Sequence, residues 1–265
     1  MTGVLGADFR LAVRALRAAP AVTLAAVFTL ALGIGACTAI FTVANALALR
    51  PLPVPDPQQL VTIPSGTALR QGFQSGAGWN HAMWDRLRQR ADAFDGALAW
   101  TLQRLDLSEA GEIQPVEALL ASGGFFRTLG VGAIAGRTFS QADDVRGGGQ
   151  DGPVVVISHD LWQRRFHGAT DIVGARLSVE GTPMTIIGVA PQRFRGLDIG
   201  QPFDLAIPFG AEAVIRGRRS LLDNERALLL TVMLRLKSGQ TVPEATRGAS
   251  HDAVADPRPR GAGVP

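Results

Sequence analysis

The stretch AAPAVTLAAVFTLALGIGACTAIFTVANALAL, residues 18–49, carries no Asp, Glu, Lys, Arg or His and is bracketed by Arg17 and Arg50. A bilayer core about 30 Å thick takes about 20 helical residues at 1.5 Å each. A helix from Ala21 to Leu49 reaches roughly 43 Å, so it spans with about two turns to spare. Its strongly apolar side chains, from Val22 and Leu24 to Phe41 and Val43, contribute about −3 to −6 kcal/mol to insertion before glycines and hydroxyls subtract. A cleaved signal peptide is the competing reading, and Ala44 and Ala46 imitate its cleavage site. Its apolar region usually runs about 7 to 15 residues, however, and here the run is longer with no polar break before those alanines. Nothing later in the chain is oily enough to surround such a helix in a soluble core. Residues 18–49 are therefore read as one uncleaved transmembrane helix.

Flanking charge sets the expected orientation. Arg10, Arg14 and Arg17 precede the span and Arg50 alone follows it closely, which puts the N-terminus in the cytoplasm and the rest of the chain outside. Within residues 1–17, Leu5, Phe9, Leu11 or Ala12, and Leu16 recur at near-helical spacing between the arginines. They read either as an amphipathic helix on the inner leaflet or as a plain charged flank. Gly33, Gly35, Ala36, Thr38 and Ala39 make a smooth patch that a second helix could approach. Gly33-Ile34-Gly35 follows no strand and is not a dinucleotide-binding turn.

Composition narrows the rest. Over 265 residues, 46% hydrophobic against 18% charged excludes wholesale disorder, and 31 Gly with 16 Pro show no Gly-X-Y period. The single cysteine, Cys37, forbids an intrachain disulfide and a multi-cysteine metal site. A net charge of +3, with scattered arginines and Lys237 as the only lysine, argues against nucleic acid as a partner.

Beyond the helix, Arg50-Pro51-Leu52-Pro53-Val54-Pro55-Asp56-Pro57 forces an extended exit. Strands are expected at Leu60 to Ile63, Leu98 to Leu107, Gln114 to Ala121, Val154 to Ile157, Arg176 to Val179, Met184 to Val189 and Ala227 to Leu236. Helices are expected from Trp79 to Phe94 with Asn80 as N-cap, from Gly123 to Leu129 closed by Gly130, from His159 to Phe166, and from Val242 to Ala249. Glu109-Ala110-Gly111-Glu112 and Glu180-Gly181-Thr182 read as hairpin turns. Residues 250–265 read as a disordered tail.

Chemistry is sought along this frame without a constellation emerging, so no catalytic, metal or cofactor residue is assigned. Ser158, His159 and Asp160 are adjacent on a helix, point to different faces and cannot form a triad; Ser158 is a cap. His81, His159, His167 and His251 lack metal-ligand spacing. Gly130-Val131-Gly132 with Gly136 are turn glycines, and Lys237 lacks the glycines of a phosphate loop, so the chain should not hydrolyse ATP. Asp143, Asp144 and Asp151 read as loop solvation rather than a calcium site. Trp162 and Phe166, four apart, read as a core pair, with a ligand platform as the sharper alternative. Arg164-Arg165 reads as a solvated face, with a docking surface as its alternative.

Six ordered blocks carry a resemblance. They are Leu30 to Gly35 with Ala39 to Pro53; Phe125 to Val131 with Gly136 to Phe139; Leu161 to Phe166; Ile172 to Gly174; Ile187 to Pro191 with Phe194; and Arg235 to Gly239. Over residues 8–249 the chain resembles the N-terminal part of an FtsX/MacB-type ABC transporter permease, including its MacB-like periplasmic core domain at residues 50–249. The resemblance implies an α+β fold, one N-terminal transmembrane helix followed by a mixed α/β extracytoplasmic domain of two subdomains. It implies three further membrane helices after the point where the match ends, so the chain reads as a truncated or partial permease. It also implies a non-enzymatic subunit of the cell inner membrane whose outer domain relays ATP-driven change for efflux or for lipoprotein or envelope export. The implied partners are a separate cytoplasmic ATP-binding subunit, a second copy or another permease, the lipid bilayer and a periplasmic adaptor. The alternative is a single-pass anchored binding module with no ATPase coupling.

Overall fold

Pro20 stands at the first helical position, where its missing N–H is no loss, and α1 runs Pro20–Ala48 over 29 residues. The computed structural model describes residue 14 and residues 17–48, 52–65, 78–89, 94–107, 114–198 and 200–241. Most of the segment read over residues 1–17, the Glu109-Ala110-Gly111-Glu112 turn, the helix from Val242 to Ala249 and the tail at 250–265 lie outside the described residues. The chain divides into two units, Met1–Pro51 and Leu52–Pro265.

In the first unit, Pro20–Thr42 has a mean hydropathy of 2.2 with none of its length buried. Among the described residues it is the one helix long and apolar enough to cross a membrane. Phe28 and Leu32 are 73% and 77% exposed among the described residues. The hydroxyls of Thr23, Thr29, Thr38 and Thr42 each donate to the carbonyl four residues back, at 2.7–3.1 Å. Each is thus satisfied inside its own helix, as an apolar solvent requires.

In the second unit nine strands share one sheet: β1 (Leu60–Ile63), β2 (Gly96–Asp106), β3 (Pro115–Ala121), β4 (Ala135–Gly136), β5 (Val154–Ile157), β6 (Arg176–Val179), β7 (Thr182–Val189), β8 (Leu205–Pro208) and β9 (Thr231–Arg235). Their order is β1-β9-β2-β3-β8-β5-β7-β4, with β6 also on β7. β1, β9, β2 and β3 are antiparallel neighbours, whereas β3–β8 and β5–β7 are parallel pairs. The two subdomains expected from the resemblance are therefore continuous in the described residues, joined by the β3–β8 ladder from Ala118↔Leu205 to Ala121↔Pro208.

Side-chain alternation sorts the strands onto two cores. Ala99, Leu120, Ile157, Ile207 and Leu234 face one core, under the helices α2 (His81–Arg88), α4 (His159–Phe166) and α5 (Phe209–Arg216). Leu98, Leu119, Val156, Ala206 and Met233 face the other, under α3 (Phe125–Leu129) and the loops that carry Val54, Phe139, Phe194 and Phe203. The β5 run Val154–Ile157 is buried on both faces, which is why it reads as unbroken apolar residues.

Local signals decide the hairpin and the caps. Glu180 and Gly181 both take positive φ, 50° and 75°, and Val179 pairs with Thr182, so the turn has two residues and Thr182 already belongs to β7. Asn80 accepts from Met83 N at 2.8 Å and Ser158 from Leu161 N at 3.0 Å, capping α2 and α4 as expected. Other expectations shift. Trp79 lies before α2, not in it, because its backbone bridges to Leu230 and its indole donates to Ile63 O at 2.8 Å. Phe94 is a buried residue at a bend ahead of β2 rather than the end of a helix. Only Thr231–Arg235 of the run from Ala227 is strand. β4, β8 and α5 are additional to the expected elements; β8 is a four-residue strand sealed between β3 and β5, and α5 begins with no side-chain cap.

Phe126 anchors the second core, its ring edge-to-face with Phe139 at 4.9 Å, Phe125 at 5.3 Å and Phe194 at 6.1 Å. Phe126→Ala is expected to cost about 3–5 kcal/mol, read as a lower urea midpoint for the full chain in detergent with an unchanged slope.

Candidate functional site

The loop Ser140-Gln141-Ala142-Asp143-Asp144-Val145-Arg146 places two neighbouring carboxylates in opposite settings. Asp143 is forked by Arg137, both guanidinium nitrogens donating at 2.8 Å, and also accepts from Ser140 N at 2.7 Å. Arg137 reaches on to Asp151 at 2.9 Å. Asp144 instead accepts only from backbone, from Gly123 N and from Gly210 N, each at 2.7 Å. The loop lies directly on these two residues: a Cβ on Gly210 would stand 2.2 Å from Val145 O, and one on Gly123 2.7 Å from Gln141 Cα. No side chain larger than hydrogen fits at either position. Loop solvation, the role expected for Asp143, Asp144 and Asp151, is thus corrected for the first two. Asp144 pins the loop to the turn before α3 and to the first turn of α5, and Asp143 ties it to Arg137.

Asp144 and Arg146 line a cleft of ≈ 350 Å³ that also takes in His81, Asp85, Arg88 and Asp223. Arg146 is bidentate to Asp223, at 2.8 and 2.5 Å. Asp85 lies between His81 Nδ1 at 3.4 Å and Arg88 Nε at 2.9 Å, but its buried Oδ1 lacks the alignment of a hydrogen bond. Burial lowers the His81 pKa, against the pull of Asp85, so its ring is neutral at pH 7 and lies edge-on to Phe209. Among the described residues no three His, Cys, Asp or Glu side chains are placed to hold a metal ion. What the cleft offers is matched charge pairs and one carboxylate held by amides.

The other residues singled out in the sequence do not converge on this cleft. His159 stacks edge-on to Trp162, and Asp160 pairs with Arg195 at 3.0 Å. Trp162 and Phe166 pack against the first core, and the Trp162 indole donates to Ala169 O at 2.9 Å. Arg164 lies on a solvated face, its side chain 62% exposed; from there Arg164 binds Asp204 at 2.6 Å and Arg165 binds Gln114, tying α4 to residues just ahead of β8 and β3.

A further polar centre sits where the chain enters the second unit, and it centres on Arg235 at the end of β9. This side chain is buried, on the same strand face as Met233. Its Nε donates to Thr128 O at 2.7 Å, one Nη to Pro55 O at 3.0 Å, and the other to Asp56 O and Gln59 Oε1, both at 3.4 Å. Asp56 is held at φ 45°, a left-handed conformation costing a non-glycine residue about 1–2 kcal/mol. The sequence marks Arg235 as the start of a block of resemblance within an expected strand but assigns it no role, although an arginine at a core-facing position of an apolar strand is a legible signal.

The two aspartates have opposite pH signatures. Burial raises the Asp144 pKa from 3.8 to about 6, despite the two amides that favour its anion. Its contribution to stability is fully present below its unfolded pKa and lost as pH rises through about 6, a loss of roughly 1–2 kcal/mol once the water that reaches it is allowed for. The Arg137 hydrogen bonds hold Asp143 below its ordinary range, so its contribution is present above pH 3.8 and lost as pH falls through the depressed value. Asp144→Asn should flatten the thermal-midpoint profile between about pH 4 and pH 6, and Asp143→Asn should flatten only its acid end.

The geometry has relatives. The model of the MacB-like periplasmic core domain family matches residues 23–250. The periplasmic region of MacB from Actinobacillus actinomycetemcomitans superposes with a TM-score of 0.50 at 12% identity, over 72% of this chain and 79% of that one. The extracellular domain of the noncanonic ABC-type transporter YknZ from Gram-positive bacteria gives 0.46 at 16% identity, over 73% and 88%. At these identities the likeness to MacB is one of fold. No curated protein matches the chain. With most of its length inside the family match, the chain belongs to the MacB-like periplasmic core domain family.

Proposed function

We propose that this chain supplies the first membrane helix and the outer domain of an ABC transporter permease. A separate cytoplasmic ATP-binding subunit drives it, and the outer domain relays the movement for efflux or for export of lipoproteins or other envelope components. The observation that carries the reading is α1, whose 23-residue apolar span is unburied and whose threonine hydroxyls are satisfied within the helix. Family membership supports the permease context. Positive charge at Arg10, Arg14 and Arg17 supports a cytoplasmic N-terminus at the inner membrane, with the sheet domain outside. A second copy or another permease pairs with it through membrane helices.

Alkaline carbonate extraction of cells making the full chain tests the anchor, and crosslinking in native membranes followed by mass spectrometry tests the drive. The chain is expected in the membrane pellet, with its sheet domain digested only when protease reaches the outer face, and crosslinked to an ATP-binding subunit. Retention in the membrane without any ATP-binding partner would instead favour an anchored binding module. Release into the soluble fraction would remove both readings.

A further inference from the structure

We infer that Arg235 is the clasp that makes the segment leaving α1 move as one body with the sheet. The inference rests on the relay reading above, since a relay needs a stiff connection at this point. Helix α1 ends at Ala48 and the described chain resumes at Leu52, so only three residues separate them. A run of prolines is a semi-rigid spacer along its own length, but without further contacts nothing fixes it to the sheet. Residues 54–60 are instead bound into the second unit. Val54 is buried in the second core, Gln59 O accepts from Leu236 N at 2.9 Å, and Leu60 pairs with Arg235 itself across β1 and β9.

The guanidinium completes this attachment in a way other side chains cannot. Its fixed fork reaches Pro55 O and Asp56 O in the exit segment and Thr128 O in α3, three carbonyls that approach from different directions. These three and the Gln59 Oε1 side-chain oxygen are all neutral acceptors, so the charge is used to hold polar groups rather than to pair with an acid. Arg235 also stands in β9, which is hydrogen-bonded to β1 on one side and β2 on the other. A pull on Pro55 is thereby passed to two strands and a helix at once. On the far side of the segment the Pro55 ring packs on Gly130, its Cγ 3.0 Å from where a Cβ would stand. Arg235 is accordingly a positioning residue for the relay, acting through the backbone it holds.

The test uses the full chain in lipid nanodiscs, comparing wild type with Arg235→Met and Arg235→Lys, and Arg104→Met as an exposed arginine control. Two readouts are taken well below the melting temperature. Hydrogen exchange at Gln59 N and its neighbours reports the clasp. The width of the distance distribution between spin labels at Ala48→Cys and Asp171→Cys, in a Cys37→Ser background, reports the stiffness of the connection.

In Arg235→Met the exit-segment amides should exchange at least about tenfold faster while β5 and β7 keep their protection, and the distribution should broaden from a narrow one. Arg235→Lys, which keeps charge but not the fork, should lie between, and it carries the test if the methionine variant does not fold. Unchanged exchange in both variants, or loss of protection spread evenly through β5 and β7, would overturn the clasp. A distribution already broad in wild type would overturn the stiff connection and with it the relay reading, even where exchange shows the clasp to be present.

Discussion

The sheet domain depends on central strands that are sealed on both faces. β5 and β8 are buried at every residue, and their alternate side chains fill two cores, one under α2, α4 and α5 and the other under α3 and its aromatic partners. The helix Pro20–Thr42 is apolar and unburied, and the internal satisfaction of its threonines matches an environment without water.

Much of this was readable where one local rule acts alone. The uncharged run at 18–49, the Glu180-Gly181 turn, the caps Asn80 and Ser158, and the unbroken Val154–Ile157 run each state their structure within a few residues. The failures sit where tertiary partners decide. Trp79 and Phe94 fit a helical spacing, but the first is claimed by Ile63 O and Leu230 and the second by the core beside β2. β8 has only four residues, with no alternation, because both its neighbours and both its faces are supplied from elsewhere in the chain. α5 starts with Phe209, Gly210, Ala211 and Glu212 all buried, and a buried glutamate hides a helix from any amphipathic reading. Glu212 survives there because Ser220 Oγ donates at 2.5 Å, Leu221 N at 2.9 Å, and Arg216 lies 3.4 Å away.

The candidate site was less legible than the fold. Asp143 and Asp144 are chemically identical neighbours, and nothing in their order shows that one meets a guanidinium and the other two backbone amides. Their partners lie at Arg137, Gly123 and Gly210, and the last is reached only because β8 delivers α5 to that edge. An aspartate forked by an arginine and an aspartate held by backbone amides share one sequence signature; hydrogen bonds from Arg137 lower the pKa of the first, and burial raises that of the second.

Helix α3 links the two polar centres. With five residues, Phe125–Leu129, it is far too short to hold itself in water. It persists because Phe125, Phe126 and Leu129 are buried and because both of its ends are held by charge of the fitting sign. At the leading end Asp144 accepts from Gly123 N, and at the trailing end Arg235 donates to Thr128 O, an anion at the positive pole of the helix and a cation at the negative one. The same Asp144 grips the first turn of α5 through Gly210, and the same Arg235 grips the exit segment through Pro55. The cleft-side loop and the segment at Pro55 are therefore hydrogen-bonded, through Asp144 and Arg235, to opposite ends of the same close-packed helix.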